Sequence, residues 1–202
     1  MRSPGSSLGN PTHVREIEDR LRESIRTKEQ VLKSLVPVID AVAALLIAAL
    51  EAGHKILLFG NGGSAADSQH IAAELVGKLL VKRRALPAIA LTTDTSNLTA
   101  LGNDFGYEKV FQRQVEALGR EGDVAIGLST SGDSPNVLEA IRTAHQLKLK
   151  TVGLTGRKGG ALAGLVDHAI IVPSDSTQRI QESHITIGHI LCELIEAHFA
   201  GR

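Results

Sequence analysis

The chain has 202 residues, of which 43% are hydrophobic and 22% charged, enough for one well-buried globular domain. Its 22 basic residues balance 22 acidic ones, and aromatic residues make up only 2%. This composition disfavours a protein that wraps duplex nucleic acid or stacks single-stranded bases, so no nucleic-acid partner is expected. The single cysteine, Cys192, excludes a disulfide within the chain and favours a cytoplasmic protein.

Residues 1–12 are rich in Gly, Ser and Pro, which predicts a flexible tail that lacks the apolar segment of a secretory signal. From residue 13 to about residue 52, apolar side chains recur near a period of 3.6 and predict a long helix, which Pro37 kinks or divides. Gly53 is expected to end this helix. The apolar run 41–50 is half as long as the roughly 20 residues of a membrane span, so we predict a buried helix and no membrane segment.

Beyond residue 53, short apolar runs alternate with helical stretches over the rest of the chain. The predicted strands cover residues 55–59, 88–92, 124–128, 151–154 and 169–172. The predicted helices cover residues 65–80, 97–101 with 110–118, 137–147, 161–166 and 179–199. Apolar strands alternating with helices predict an α/β fold: a three-layer, doubly wound domain over residues 13–202, with about five parallel strands and long N- and C-terminal helices. Ligands of such sheets bind beyond the carboxyl ends of the strands.

A glycine-rich segment, GNGGS at residues 60–64, follows the first predicted strand. Its three glycines allow a close approach of the backbone to a ligand, and Ser64 is expected to cap the next helix with Asp67 as half of a capping box. The segment matches neither a Walker loop nor GxGxxG. A plain tight turn is the alternative, but one glycine would suffice for that, so we favour a ligand-binding loop.

His70 and Glu74 are four residues apart, so they lie on one face of the helix after this loop. At that spacing both can reach a divalent metal ion. An ordinary ion pair on a solvated helix face is the alternative, and it would be preferred if the pair did not lie so close to the glycine-rich loop.

Asn103 and Asp104 lie between Gly102 and Gly106 and are interpreted either as turn-forming residues or as groups that bind sugar hydroxyls. This segment alone does not decide between the two.

A hydroxyl-rich segment follows the third predicted strand. Ser129, Thr130, Ser131 and Ser134 lead into a helix whose first position is occupied by Pro135. Hydroxyls and free backbone N–H groups at a helix start predict a phosphate-binding loop that needs no lysine. The alternative is that Ser134 simply caps the helix, for which one hydroxyl would be enough.

The last predicted helix carries Gln181 and His189, eight residues and about 12 Å apart along the axis. His189 lies among isoleucines and leucines, so a core histidine is the simplest interpretation. Spacing alone does not suggest that these two residues share a site.

Taken together, four segments carry a family resemblance: GNGGSAADSQHIAAEL, GNDFGYEKVF, GREGDVAIGLSTSGDSPNV and RIQESHITIGHILCELIE. In this order they resemble the SIS-domain phosphoheptose isomerases, also called sedoheptulose 7-phosphate isomerases, from about residue 13 to residue 199. Their joint occurrence is far more specific than any one segment. The resemblance implies a flavodoxin-like SIS domain and an aldose–ketose isomerase acting on a sugar phosphate.

The resemblance also implies a homotetramer with active sites between subunits and one zinc ion in each subunit. The implied zinc ligands are His70, Glu74, Gln181 and His189. The implied substrate-binding residues are Asn61, Gly62, Gly63, Ser64, Glu74, Asn103, Asp104 and Gln181 for the sugar, and Ser129, Thr130, Ser131 and Ser134 for the phosphate. Glu74 and His189 are the implied catalytic residues, which transfer the protons of an enediolate reaction.

Three positions depart from the pattern of the family. Lys78 stands where several members have Arg, Gln178 replaces Asp in the segment before the last helix, and Asp133 stands where Asn is familiar. A carboxylate beside a phosphate is unfavourable, so Asp133 is expected to point away from it.

Two alternatives to the heptose phosphate reaction remain open at this stage. One is a non-catalytic SIS-domain regulator that binds the bacterial replication initiator, although that group typically lacks the full metal-ligand set. The other is an isomerase of a different sugar phosphate.

Overall fold

A computed structural model describes residues 10–201, and most of the predicted tail over 1–12 lies outside the described residues. Helix α1 spans Pro11–Ser34, so residues 11 and 12 are helical. Asn10 caps this helix, because its side chain accepts a hydrogen bond of 3.0 Å from the backbone N–H of Thr12.

The long N-terminal helix is divided, as predicted. Helix α2 spans Val36–Glu51, and it leaves α1 at an angle of 70°. Pro37 explains the break, since its ring lacks an N–H and would clash with the carbonyl group four residues earlier. Gly53 adopts the left-handed backbone conformation predicted for it, with φ of +83°. No single helix among the described residues is long and apolar enough to cross a membrane; α1 and α2 meet that criterion only when the bent pair is counted together.

Five parallel strands form one sheet, which confirms the predicted fold class. They are β1 Ile56–Gly60, β2 Ala88–Ala90, β3 Val124–Ser129, β4 Lys150–Gly156 and β5 His168–Val172. The strand order is β2-β1-β3-β4-β5, and Ile56 of β1 pairs with Ala88 on one side and Val124 on the other. The chain leaves β1 toward one edge of the sheet and β3 toward the other, so a crevice opens between the loops that follow them.

Six further helices connect and cover the strands. They are α3 Gly63–Val76, α4 Thr95–Phe105, α5 Gln112–Leu118, α6 Pro135–Gln146, α7 Gly160–Ala163 and α8 Thr177–Phe199, with one 3₁₀ turn at Tyr107–Lys109. Helices α2, α3 and α8 pack on one face of the sheet, and α5, α6 and α7 pack on the other. The predicted three layers are thus present.

Several element ends differ from the prediction: β2 ends at Ala90 rather than residue 92, and α7 ends at Ala163 rather than residue 166. Helix α3 ends at Val76 rather than residue 80, because Gly77 leaves the helical conformation and the N–H groups of residues 79–81 bond to the Glu196 carboxylate instead. Helix α4 continues to Phe105, so Asn103 and Asp104 lie in its last turn rather than in a glycine-flanked turn.

Helix α8 packs unusually close to α3 at Gly188. A Cβ atom at this position would lie 2.7 Å from Cδ1 of Ile71, so only glycine fits without a shift. This close approach brings the next residue of α8, His189, to the face of α3 that carries His70.

His184 is fully buried in α8, and its position has a consequence for stability. Its Nε2 donates a hydrogen bond of 3.0 Å to the carbonyl oxygen of Thr155, while Nδ1 bonds to none of the described residues. Burial lowers the pKa of this imidazole from its ordinary value of 6.5 to about 4, although the bond to Thr155 opposes the shift.

The depressed pKa predicts that the protein loses stability as the pH falls. Between pH 6.5 and pH 4 the unfolded chain binds a proton at His184 that the folded chain does not bind, so the free energy of unfolding decreases through that window. The loss from this residue alone amounts to about 2 kcal/mol between pH 7.5 and pH 5. We expect His184→Gln to flatten the pH dependence of urea unfolding by that amount. An unchanged slope would contradict the assignment of this acid sensitivity to His184.

Candidate active site

The glycine-rich loop follows β1 at the carboxyl edge of the sheet, as predicted, but its helix starts differently. Gly62, with φ of +56°, is the N-cap of α3, and no side chain caps this end. Backbone carbonyls replace the expected serine cap: the N–H of Ser64 donates to Asn61 and that of Ala65 to Gly62, at 3.0 and 3.1 Å. Ser64 is buried in the first turn, so the prediction of a Ser64–Asp67 capping box is wrong.

A pair of asparagine side chains joins the loops after β1 and β3. Asn61 Nδ2 donates to Asn136 Oδ1 at 2.9 Å, and Asn136 Nδ2 donates to Asn61 Oδ1 at 2.8 Å. The hydroxyl of Tyr107 donates to the same Asn61 oxygen at 3.3 Å. Asn136 is buried and was not singled out from the sequence, because its partner lies 75 residues away.

A cavity of about 360 Å³ lies between these two loops. Its walls are formed by Asn61, Tyr107, Glu108, Ser134, Pro135 and Asn136. The cavity therefore connects the glycine-rich loop to the start of α6, where the phosphate site was predicted.

The hydroxyl-rich loop is a hydrogen-bonded turn in which Ser129 is the centre. Its Oγ shares hydrogen bonds with Ser134 Oγ at 2.9 Å and Ser131 Oγ at 3.4 Å, and it accepts one from the N–H of Gly132 at 3.1 Å. Ser134 is the N-cap residue of α6, yet its side chain makes no capping hydrogen bond. The simple capping interpretation of Ser134 is therefore wrong, because its hydroxyl turns toward the loop.

Asp133 points away from this loop, as its charge requires. Its Oδ1 accepts a hydrogen bond of 2.8 Å from the backbone N–H of Ala161, in the short helix α7. The carboxylate is thereby held against a neighbouring loop rather than against the hydroxyls of Ser129 and Ser134. Its negative charge is then no obstacle to an anion among those hydroxyls.

Three of the four predicted metal ligands come together between α3 and α8. His70 Nε2 lies 2.9 Å from His189 Nε2 and 3.3 Å from Glu74 Oε1, and one ligand atom from each residue lies within 4.8 Å of the others. Two imidazoles and a carboxylate are ligands that zinc prefers, and tetrahedral coordination separates neighbouring ligand atoms by about 3.3 Å. The two separations of 2.9 and 3.3 Å lie within a few tenths of an ångström of that spacing, so the donor set fits such an ion.

The remaining predicted residues are distributed around this cluster. Gln181 lies against the first turn of α3, since a Cβ at Gly63 would be 2.6 Å from its Nε2, about two helical turns from His70. Asn103 and Asp104 are exposed and hydrogen-bond to each other at 2.7 Å. Among the described residues no hydrogen bond joins these two to the crevice.

Asp67 is a residue of the site that sequence reasoning placed in the wrong role. It lies one turn before His70, and its Oδ2 is buried without a hydrogen-bond partner among residues 10–201. Burial raises the pKa of the Asp67 carboxyl above its ordinary value, while the nearby His70 and His189 oppose the shift. The electrostatic interaction with His70 and His189 places this carboxyl near the cluster, and its position on the His70 face of α3 was the sequence signal for it.

The sequence is similar to a known domain family and to known enzymes. A family model described as the SIS domain matches residues 21–156. The phosphoheptose isomerase of Aquifex aeolicus is 56% identical over 183 residues, which cover 91% of this chain and 96% of that protein. The phosphoheptose isomerase of Geobacter metallireducens is 57% identical over 181 residues, which cover 90% of this chain and 96% of that protein.

Solved structures of phosphoheptose isomerases are also similar to this chain. The phosphoheptose isomerase of Neisseria gonorrhoeae superposes with a TM-score of 0.87 at 47% identity, covering 91% of this chain and 98% of that one. A phosphoheptose isomerase from Francisella tularensis gives a TM-score of 0.89 at 40% identity, covering 92% of this chain and 98% of that one. The similarity therefore extends over nearly the whole of each chain.

Proposed function

This chain belongs to the SIS-domain family and, within it, to the phosphoheptose isomerases, and we propose that it converts sedoheptulose 7-phosphate to D-glycero-D-manno-heptose 7-phosphate. As a member it is a sugar-phosphate isomerase. The observation that carries the isomerase chemistry is the cluster of His70, Glu74 and His189, on the helix that starts at the crevice and on the helix packed against it, while the heptose substrate is proposed from the relatives. Such a cluster supplies a base, an acid and a metal site within a few ångströms.

The chemistry moves one proton between C1 and C2 of the sugar through an enediolate. We propose that the Glu74 carboxylate removes the proton from the carbon next to the carbonyl group and returns it to the neighbouring carbon. The His189 imidazole moves a proton between the two oxygens, so that the hydroxyl and the carbonyl group exchange places and no atom is gained or lost. A divalent cation held by His70, Glu74 and His189 would supply electrostatic stabilisation of the negative oxygens. Gln181, about two helical turns from His70, would join these ligands only by moving or from a second subunit.

The hydroxyl-rich loop is the proposed site of the phosphate. Ser129, Thr130, Ser131 and Ser134 would bind its oxygens, together with N–H groups at the start of α6. Two observations support this. The Ser134 side chain does not cap the N-terminus of α6, and the Asp133 carboxylate is hydrogen-bonded to the N–H of Ala161. Asn61, Gly62 and Gly63 would contact the sugar, and Asn103 and Asp104 would do so if their helix or a second subunit closes on the crevice.

A homotetramer is also proposed, because α1 presents an apolar stripe to solvent. Its members are 48–70% exposed although they are large aliphatic side chains: Val14, Ile17, Leu21, Ile25 and Leu32. Unpartnered apolar stripes of this length mark protein interfaces. The metal-ligand cluster also lies at the surface, since the His70 side chain is 49% exposed, which agrees with active sites between subunits. The lone, buried Cys192 agrees with a reducing compartment, and we propose the cytoplasm.

One purified sample tests these proposals together. We expect turnover of sedoheptulose 7-phosphate to exceed that of five- and six-carbon sugar phosphates in kcat/KM, because the relatives that the chain matches over nearly its whole length are phosphoheptose isomerases. Metal analysis should find one zinc per chain, and light scattering should give the mass of four chains. Preferred turnover of a shorter sugar phosphate would contradict the heptose assignment. Binding of the replication initiator without any turnover would contradict catalysis altogether.

A further inference from the structure

A buried ion pair lies beyond the metal-ligand cluster, at the far end of α3. It joins Arg83, in the loop after α3, to Glu196 of α8, with Nε and Oε1 3.6 Å apart. The side chains are only 1% and 2% exposed. Burial of two charges costs free energy that an apolar pair would not cost, so a buried pair is weak evidence for stability alone. The backbone groups to which Arg83 and Glu196 hydrogen-bond indicate a role in positioning α3.

Arg83 holds the end of the helix that carries His70 and Glu74. Its Nη2 donates to the carbonyl oxygen of Glu74 itself at 2.6 Å, and its Nη1 donates to those of Leu75 and Gly77 at 2.7 and 3.0 Å. The last carbonyls of a helix lack partners within the helix. The guanidinium supplies those partners, and it fixes the main chain of a proposed metal ligand directly.

Glu196 holds the segment that follows α3. Its Oε1 accepts from the N–H of Leu79 at 2.9 Å, and its Oε2 accepts from those of Leu80 and Val81 at 2.5 and 3.0 Å. Burial raises the pKa of Glu196, but these hydrogen bonds and the Arg83 charge outweigh it and lower the pKa below its ordinary value. The carboxylate is therefore ionised at neutral pH.

The pair connects the two helices that carry the ligand cluster. Glu196 lies seven residues after His189, two turns along the same face of α8. Arg83 and Glu196 thus tie the last turn of α3, which carries Glu74, to α8 at a point two turns beyond His189. No other ion pair among the described residues joins these two segments.

We propose that Arg83 and Glu196 are positioning residues of the metal site, which set Glu74 and His70 at coordination distance from His189. This inference rests on the proposed function, because it presumes that the cluster binds a metal ion. Metal coordination tolerates ligand displacements of only about 0.2 Å. Residues that hold ligands in place through hydrogen bonds typically change metal affinity 10- to 100-fold when they are replaced.

Arg83→Lys is the test, because it keeps the positive charge and removes the planar guanidinium. One ammonium group cannot replace both guanidinium nitrogens, which bond to the carbonyls of Leu75 and Gly77 on one side and of Glu74 on the other. The carbonyl of Glu74 therefore loses its hydrogen bond. We expect zinc affinity, measured by competition with a chelator, to fall about 10- to 100-fold. The visible absorption spectrum of the cobalt(II)-substituted protein should change as well, since it reports coordination geometry. If Arg83→Lys fails to fold, Glu196→Gln tests the same link, and it should shift both readouts in the same direction.

A matched control separates positioning from stability. Asp123→Asn disrupts the pair of Lys55 and the buried Asp123 at the amino edge of the sheet, and the Asp123 carboxylate hydrogen-bonds to no residue of α3 or α8 among those described. It should lower the melting temperature and leave zinc affinity and the cobalt spectrum unchanged. A folded Arg83→Lys protein with wild-type affinity and spectrum would overturn the positioning role alone. A wild-type protein that binds neither metal would overturn the metal site of the proposed function and, with it, this inference.

Discussion

Glu74→Gln is expected to lower kcat by between about 10²- and 10⁴-fold while the protein stays folded. Glutamine has nearly the shape of glutamate, but its amide cannot accept a proton from carbon. Among the described residues, the side chain paired with the Glu74 carboxylate is that of His70, at 3.3 Å from Oε1, and Glu74 is partly exposed, so little structure depends on its charge. We expect the melting temperature to change by only a few degrees.

The same variant should stop the exchange of substrate hydrogen with solvent deuterium. This exchange reports removal of the proton from carbon, so it should decline in proportion to kcat if Glu74 is the base. Glu116→Gln is the control, because it removes a helix carboxylate paired to Arg113 on the other face of the sheet. It should leave kcat unchanged. Wild-type turnover by Glu74→Gln would remove Glu74 from the mechanism.

The sheet was predictable because its strands are buried on both faces. Strands of this kind are continuous apolar runs, and each run here is bounded by the glycine, serine or aspartate of a turn. The helices between them make every connection a crossover, which forces parallel strands and collects the loops after β1 and β3 at one edge. The meeting of these two loops at one edge of the sheet followed from connectivity alone.

Helix starts were less predictable because a helix can be capped in more than one way. Ser64 and Ser134 have the residue type that caps helices. At α3, however, the carbonyls of Asn61 and Gly62 satisfy the first N–H groups, since Gly62 can adopt a positive φ. At α6 the hydroxyl of Ser134 bonds to Ser129 instead. Local propensity does not distinguish a backbone cap from a side-chain cap.

Contacts between distant segments could not be predicted from local patterns at all. His70 and His189 are 119 residues apart, and spacing within each helix says nothing about their distance of 2.9 Å. The core histidine that the pattern of α8 indicated is present, but it is His184, whereas His189 is half-buried beside α3. The resemblance to the phosphoheptose isomerases, rather than residue spacing, brought His189 into the predicted site.

Gly132→Ala is expected to raise the KM for the sugar phosphate about 100-fold. Gly132 has φ of +75°, and a Cβ there would lie 2.0 Å from the carbonyl oxygen of Gly159 and 2.9 Å from Cα of Gly160. Both neighbours are backbone atoms, so the loop must move. The hydrogen bond from the N–H of Gly132 to Ser129 Oγ is then broken. Loss of two hydrogen bonds to a phosphate, each about 1.5 kcal/mol or more, corresponds to that change in KM.

The same substitution should lower the free energy of unfolding by about 2 to 5 kcal/mol, because left-handed strain and a steric clash act together. Gly53→Ala is the matched control: its φ is +83°, but a Cβ there meets no atom within 4 Å. It therefore carries the strain alone, about 1 to 2 kcal/mol, and should leave KM unchanged. If Gly132→Ala does not fold, Ser131→Ala removes a loop hydroxyl without a clash and should still raise KM. A wild-type KM in both loop variants would mean that the phosphate binds elsewhere, because neither the backbone nor the hydroxyls of the loop could then contribute to its affinity.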